Sequence, residues 1–460
     1  MINDTHNLIR RPTDEVDRAA FRKALKTTVL LAAVNVVLVT VAQLSGSGML
    51  IAGAMLVYLA SMFVCPEDTV FYLMVFFLPW STILKLSPES LSFYSISSIL
   101  IFMKVVLKNP KLNLKVLVPA AGLLVVTLIS KLIHAYAIAP SYLMFFIMLV
   151  GFPLLFDRIQ QRFDFECCAV FFALGIILAT IVSSVFGTHP HLLKYVLVFE
   201  QENLEITRLC GFYGDPNFYS AQIVSAFGAI LLVIAKSAKR KLLHILLAVF
   251  LVLCGFTSLS KSFLICIAIV FAVWALGLLF YKPSKILGVV FVSAIAITIV
   301  LFSGALDEAI AQYAVRFGTG SNVSDLTTGR SDLWRLYVEM LANNPLELLF
   351  GQGYTSVFNG VHKGSHNTLI QLIYQVGLIG LVPVVGWFGV FRSPSRKKRP
   401  LVLIGGWAIA CFAMWIGLDM LFFDDLFINI LLFVAGIRYV SDPLDTSAPR
   451  PLDAAASSPA

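Results

Sequence analysis

The stretch ILGVVFVSAIAITIVLFSG, residues 286–304, has no charged side chain and is long enough to cross a bilayer as one helix. A second such stretch, NTLIQLIYQVGLIGLVPVVGWFGV, follows at residues 367–390. Apolar runs of this kind recur along the chain, which is 59% hydrophobic and 13% charged. Soluble domains carry about 25% charged residues. The pattern therefore predicts an all-α, polytopic membrane protein.

The apolar runs predict about fourteen transmembrane spans in one membrane domain, residues 27–438. The preceding tail, residues 1–26, is basic and too polar for a cleaved signal peptide. The tail at 439–460 is rich in Pro, Ala, Ser and Asp, so we expect it to be disordered. The predicted spans lie near 27–44, 48–64, 69–84, 91–107, 116–133, 140–156, 165–187, 218–235, 242–259, 262–280, 286–304, 367–390, 401–417 and 421–437.

The net charge of +8 follows a topological pattern and gives no reason to expect nucleic-acid binding. With the N-terminus in the cytoplasm, most of the 34 Lys and Arg residues fall in loops on the cytoplasmic side. This positive-inside bias predicts that both termini are cytoplasmic. It places two polar loops, 189–217 and 305–366, on the extracytoplasmic side.

The large loop, 305–366, is expected to contain two amphipathic helices that lie at the membrane interface. The first covers 305–317, and the second begins near Thr328 as its N-cap and ends at Asn343. Glycines after the second helix predict a flexible stretch before the next span: Gly351, Gly353 and Gly360. The apolar stripe of the second helix is Leu333, Leu336, Tyr337, Met340 and Leu341.

Four cations near the outer face are candidate anion ligands. Arg330 falls in the first turn of the second loop helix, where free N–H groups also favour a phosphate. Arg316 closes the first helix. Arg208 precedes the predicted span at 218–235, and Lys261 directly precedes the span at 262–280. Each has a plainer interpretation: Arg330 could contact lipid headgroups, Arg316 could cap its helix, and Lys261 could snorkel to the interface.

His366 stands at the start of the span beginning at Asn367 and shares its loop with two arginines. A histidine in this position is a candidate general base, although a lone histidine is commonly just solvated. A zinc site from His362 and His366 is not expected, since the glycine-rich context disfavours a helix and no carboxylate follows at a useful spacing.

Three carboxylates near the last apolar run have two open interpretations. They could pair with outer arginines inside the membrane region, or lie in a short extracytoplasmic turn. They are Asp419, Asp424 and Asp425.

Taken in order, these residues resemble the O-antigen polymerase and O-antigen ligase family of bacterial membrane glycosyltransferases. The resemblance covers about 200–390 and includes Gly329-Arg330-x-x-x-Trp334, Gly351-x-Gly353 and His366-Asn367 with Gly377-x-x-Gly380. It begins with Arg208-x-x-Gly211-x-x-x-Asp215-Pro216-Asn217 and Ser258-x-Ser260-Lys261. Family members often carry Arg where this chain has Lys261.

The resemblance implies a cofactor-free, metal-independent transfer of a glycan from an undecaprenyl diphosphate carrier at the outer face of the bacterial inner membrane. Arg208 and Arg330 would bind the diphosphate, with Arg316 and Lys261 as further ligands, and His366 would accept or orient the acceptor hydroxyl. The acceptor is another carrier-linked repeat unit in polymerases and lipid A-core in ligases, and the Gly-Asp-Pro-Asn form favours a polymerase. Supporting residues would be Asp215, Asn217, Trp334 and Asn367.

A transporter of a lipid-linked anionic glycan would also need outward arginines and many helices. It predicts ionisable residues along a central path through several spans. Here the mid-span positions are almost all apolar and the polar residues collect at the outer face. The distribution favours an enzyme that acts among membrane lipids at the outer leaflet.

Overall fold

The computed structural model describes residues 15–108, 114–134, 140–159, 163–193, 195, 208–213, 215–236, 240–281, 283–302, 304, 307–318, 329–353, 364–390, 401–419 and 424–441. All regular secondary structure in these ranges is helical. The helices are α1 (Glu15–Ser45), α2 (Gly48–Val64), α3 (Glu67–Phe77), α4 (Phe93–Lys108), α5 (Leu114–His134), α6 (Pro140–Ile159), α7 (Phe165–Phe186), α8 (Pro190–Leu193), α9 (Pro216–Lys236), α10 (Lys241–Phe256), α11 (Lys261–Tyr281), α12 (Pro283–Phe302), α13 (Asp307–Gly318), α14 (Arg330–Asn343), α15 (Pro345–Phe350), α16 (Thr368–Val390), α17 (Leu401–Phe412) and α18 (Asp424–Ser441). Short 3₁₀ helices extend α3 and α17.

Each predicted span overlaps one of these helices. Six helices are long and apolar enough to cross a membrane, and five more are apolar but shorter. The chain is therefore a helical membrane protein, while the count of fourteen spans and their orientation remain predictions. The first helix begins at Glu15, within the predicted N-terminal tail, and α18 continues to Ser441. The rest of the C-terminal tail lies outside the described ranges.

α9 is the central helix of the bundle. Its apolar stretch is buried along its whole length, whereas each of the other long apolar helices has one face exposed on the outside of the bundle. It packs against α7, α10, α11, α17 and α18. Because α9 has no lipid-exposed face, its first turn is held in a fixed position by neighbours on every side.

The two loop helices occur as α13 and α14, with corrected boundaries. α14 begins at Arg330 with Gly329 as its N-cap, so the predicted cap at Thr328, which is outside the described ranges, is one residue early. Part of the apolar stripe of α14 packs on protein: Tyr337 meets Tyr374 of α16 edge-on, with ring centroids 5.0 Å apart. Asn344 then leads into α15, a short helix that the sequence pattern did not predict.

α16 is broken in its middle. Gly377 has φ 66° and ψ 178°, which interrupts the helical hydrogen bonds and frees carbonyl groups inside an apolar segment. The chain after α15 occupies the gap: Gln352 N donates to Tyr374 O (2.6 Å) and Gly353 N donates to Gln375 O (2.9 Å). The prediction of a flexible stretch is therefore wrong for Gly351 and Gly353, and Gly360 is outside the described ranges.

The close approach of the chain after α15 to the break in α16 explains both glycine motifs. A Cβ on Gly377 would overlap backbone atoms near Leu349, and a Cβ on Gly351 would overlap backbone atoms around Gln375. Ser130 of α5 also donates its hydroxyl to Gly351 O at 2.7 Å. Gly351-x-Gly353 and Gly377-x-x-Gly380 thus meet as one structural unit between α5, α15 and α16.

Candidate functional site

Arg208 is held inside one end of the bundle by two neighbouring helix ends. Its side chain is buried, at 7% exposure. Its Nε donates to Ser258 O at 3.0 Å, and its Nη2 donates to Asn217 Oδ1 at 3.2 Å. Ser260 Oγ donates to the same Asn217 oxygen at 3.0 Å. The guanidinium is thus fixed in orientation before any ligand arrives.

Asp215, Pro216 and Asn217 form the start of α9. The Asp215 carboxylate accepts from Asn217 N (2.7 Å) and Phe218 N (3.2 Å), as an N-cap residue does, and Pro216 takes the first helical position. This cap directs the Asn217 side chain toward Arg208. The Asp-Pro-Asn segment at the start of α9 therefore orients a hydrogen-bond partner of Arg208.

The turn between α10 and α11 brings Ser258, Ser260 and Lys261 together. Leu259 adopts the left-handed region, with φ 48°, an uncommon conformation for a branched apolar residue. Ser220 of α9 donates to Ser258 Oγ at 2.8 Å and holds the turn from one side. Lys261 is the first residue of α11, so its backbone directly follows the serine that contacts Asn217.

α13 docks on this turn through one tyrosine. Tyr313 is buried, its hydroxyl donates to Ser260 O at 3.5 Å, and its ring meets Phe256 edge-on at 6.0 Å. Arg316 lies one helical turn farther along α13, in the same region of the fold. Its side chain is outside the described part of the structure.

Arg330 reaches into the same end of the bundle from α14. A Cβ placed on Gly417 would lie 3.0 Å from Arg330 Nη1 and 3.9 Å from Ser262 Oγ, so the guanidinium sits between the 3₁₀ helix 413–417 and the start of α11. Burial lowers the pKa of Arg330 from its ordinary value, and the nearby Asp215 carboxylate opposes that shift. Trp334, one turn later, has a buried indole N–H that meets no partner among the described residues.

The segment with His366 packs beside Arg330. Asn367 caps α16, with its Oδ1 accepting from Leu369 N (3.0 Å) and Ile370 N (3.1 Å). Thr368 Oγ1 donates to Leu418 O at 2.7 Å, next to the glycine that touches Arg330. His366 itself has φ 49°. A left-handed conformation at a non-glycine residue costs about 1–3 kcal/mol and tends to occur at functional positions.

Asp419 lies next to the segment that contains His366. The sequence pattern did not predict this proximity. A Cβ on Gly364 would lie 3.1 Å from Asp419 Oδ2 and 3.7 Å from Gln371 Oε1. Burial raises the pKa of the Tyr337 hydroxyl, and the charges of Tyr374 and Asp419 add to that shift. Asp419 lies two residues beyond the 3₁₀ helix 413–417. Asp424 and Asp425 begin α18, and their side chains are outside the described part.

The structure gathers most of the predicted residues into one region. Arg208, Asn217 and Lys261 share the α9 and α10–α11 corner. Arg330 joins it through Ser262, and His366 joins it through the Thr368 bond to Leu418. The arrangement brings Arg208 and Arg330 near the Asp215 carboxylate, in the same region as the backbone segment of His366. Such a set can stabilise an anionic leaving group and accept a proton.

The chain matches the family model of O-antigen ligase over residues 245–385. The matched segment contains Ser258–Lys261, Arg330 and His366, while Arg208, Asp215 and Asn217 precede it. No curated protein matches the chain. This match supports the resemblance to the O-antigen polymerase and ligase family that the order of the motifs indicates.

Proposed function

We propose that the protein is a glycosyltransferase that polymerises oligosaccharide repeat units carried on undecaprenyl diphosphate, without a metal, at the outer face of the cytoplasmic membrane. The observation that carries the proposal is the convergence of Arg208, Lys261, Arg330 and the His366 segment at one end of an otherwise apolar bundle. A glycan on a diphosphate carrier presents its charge at the lipid surface, where these side chains collect.

In the proposed reaction, an acceptor hydroxyl attacks the anomeric carbon of the carrier-linked sugar. The new glycosidic bond forms as the bond from that carbon to the diphosphate oxygen breaks, and the electron pair leaves with the diphosphate. His366 takes the hydroxyl proton. Arg330 and Arg208 stabilise the charge that develops on the leaving group, with Lys261 and Arg316 as further cations.

The fixed geometry of Arg208 supports this role. Its hydrogen bonds to Ser258 and Asn217 orient the guanidinium in a dry corner, so little reorganisation is needed when charge develops. Because a diphosphate is already a good leaving group, positioning and charge stabilisation are the main requirements.

Ligation to lipid A-core is the alternative function, and it uses the same site residues with a different acceptor. The Gly-Asp-Pro-Asn form before α9 favours the polymerase. Transport of the lipid-linked glycan is a further alternative, and the broken α16 is the feature in its favour, since discontinuous helices form the sites of many transporters.

The purified protein in lipid, supplied with a lipid-linked repeat unit, tests these functions. A ladder of lengthening glycan that resists EDTA, with release of carrier diphosphate, is the expected result. A single capped product that appears only when lipid A-core is added would replace the polymerase by a ligase. Absence of any product with either acceptor would overturn the transferase.

A further inference from the structure

Three buried glutamines surround the break in α16. Gln371, Gln375 and Gln352 are 0%, 1% and 8% exposed. Gln371 Oε1 accepts from Ser365 N at 2.9 Å. Four other amide atoms are buried and meet no hydrogen-bond partner in the described part of the chain: Gln371 Nε2, Gln375 Oε1, Gln375 Nε2 and Gln352 Oε1.

These amide atoms are unusual because buried polar groups in proteins are nearly always paired. Each unpaired group costs about 1–3 kcal/mol. The backbone bonds from Gln352 and Gly353 satisfy the carbonyls freed at the break, but they leave the side-chain amides unsatisfied. The break in the helix therefore does not account for the glutamines.

The glutamines extend inward from the candidate site. Gln371 N donates to Asn367 O, so Gln371 lies one helical turn below the cap that follows His366. Gln375 lies one turn deeper on the same face of α16. Gln352 is held beside it by the bond from its backbone to Tyr374 O.

Their chemistry indicates a neutral, hydroxyl-rich ligand. Each amide offers both a donor and an acceptor, and none of the three carries a charge. A diphosphate would be matched by the arginines of the corner at Arg208 and Arg330. We propose that Gln352, Gln371 and Gln375 bind hydroxyl groups of a sugar residue of the substrate glycan. The inference rests on the proposed function and names the part of the substrate that these residues recognise.

Gln375→Met tests the site. Methionine keeps a flexible, unbranched side chain of similar size and removes both unpaired amide atoms. We expect a melting temperature equal to or above that of the wild type, since no protein hydrogen bond is lost. Binding of a polyprenyl diphosphate that bears the glycan should weaken about three- to tenfold, while binding of the bare polyprenyl diphosphate is unchanged. The KM for the glycan-bearing carrier should rise with little change in kcat.

Gln43→Met is the matched control. Gln43 is also 0% exposed, but its Nε2 donates to Ile83 O (2.9 Å) and Lys85 O (3.0 Å), on α1 away from the site. This variant should lose stability and bind both carriers as the wild type does. Gln352→Met provides a second variant at the site and should show the same selective loss as Gln375→Met.

The proposal is overturned if the two site variants bind both carriers as the wild type does, or lose affinity for both equally. It is also overturned if the wild type does not distinguish the glycan-bearing carrier from the bare one. Selective glycan binding without transfer to any acceptor would leave the sugar site standing and overturn the transferase instead.

Discussion

Replacement of Arg330 by alanine is the most direct test of the proposed site. The guanidinium lies against Gly417 and near Ser262, partly removed from water. At an effective dielectric constant of about 20, such a cation stabilises a negative unit charge 4 Å away by about 4 kcal/mol. Asp215 already offsets part of that field. A loss of about 2–3 kcal/mol of transition-state stabilisation remains, which is a fall in kcat/KM of about 30- to 160-fold.

The assay is glycan transfer from the lipid-linked repeat unit by the purified variant in lipid. Arg330→Lys should retain more activity than Arg330→Ala, because it keeps the charge and loses only the planar fork of donors. Arg335→Ala is the matched control on the same helix. Its side chain is 72% exposed and makes only long surface pairs with Asp332 (3.7 Å) and Glu339 (3.9 Å), so we expect activity close to wild type. If Arg330→Ala and Arg335→Ala were equally active, the reasoning would be refuted.

Three further variants probe the surroundings of the site. Gly377→Ala should lower the melting temperature in detergent strongly, because φ is 66° and the added Cβ overlaps a backbone carbonyl, whereas Gly386→Ala, whose Cβ would make an ordinary contact with Pro119 at 3.7 Å, should be tolerated; equal stability would contradict the close approach at Gly377. Asn217→Leu should reduce transfer about tenfold by removing the acceptor that orients Arg208, at a cost of about 1–3 kcal/mol in unfolding free energy, and an unchanged kcat would argue against that role. Thr368→Val should lower kcat more than it raises KM, because it removes the hydrogen bond to Leu418 O that holds the His366 segment. A change in KM alone would argue against a role of this bond in positioning His366.

Hydropathy and charge predicted the membrane class and the approximate position of each helix, because apolar length and loop polarity are local properties of the chain. The start of α14 near Arg330 followed from capping preferences in the same way, with the cap one residue later than predicted. The pairing of Gly351–Gly353 with the break at Gly377 did not follow, since hydropathy continues unbroken through α16 and glycine alone does not reveal what it approaches. Asp419 was ambiguous because its neighbour, Gly364, is distant in sequence.

The hydrogen bonds that join the chain after α15 to the break in α16 have a consequence for how the protein is inserted into the membrane. If α16 were inserted as an independent hydrophobic segment, the carbonyls of Tyr374 and Gln375 would reach the hydrocarbon without donors. Their donors, Gln352 and Gly353, lie earlier in the chain and leave the ribosome first. α15 and the first half of α16 can therefore insert together, with the segment that contains His366 between them in the sequence. Biogenesis of this part of the bundle then assembles the helix and the histidine segment in one step.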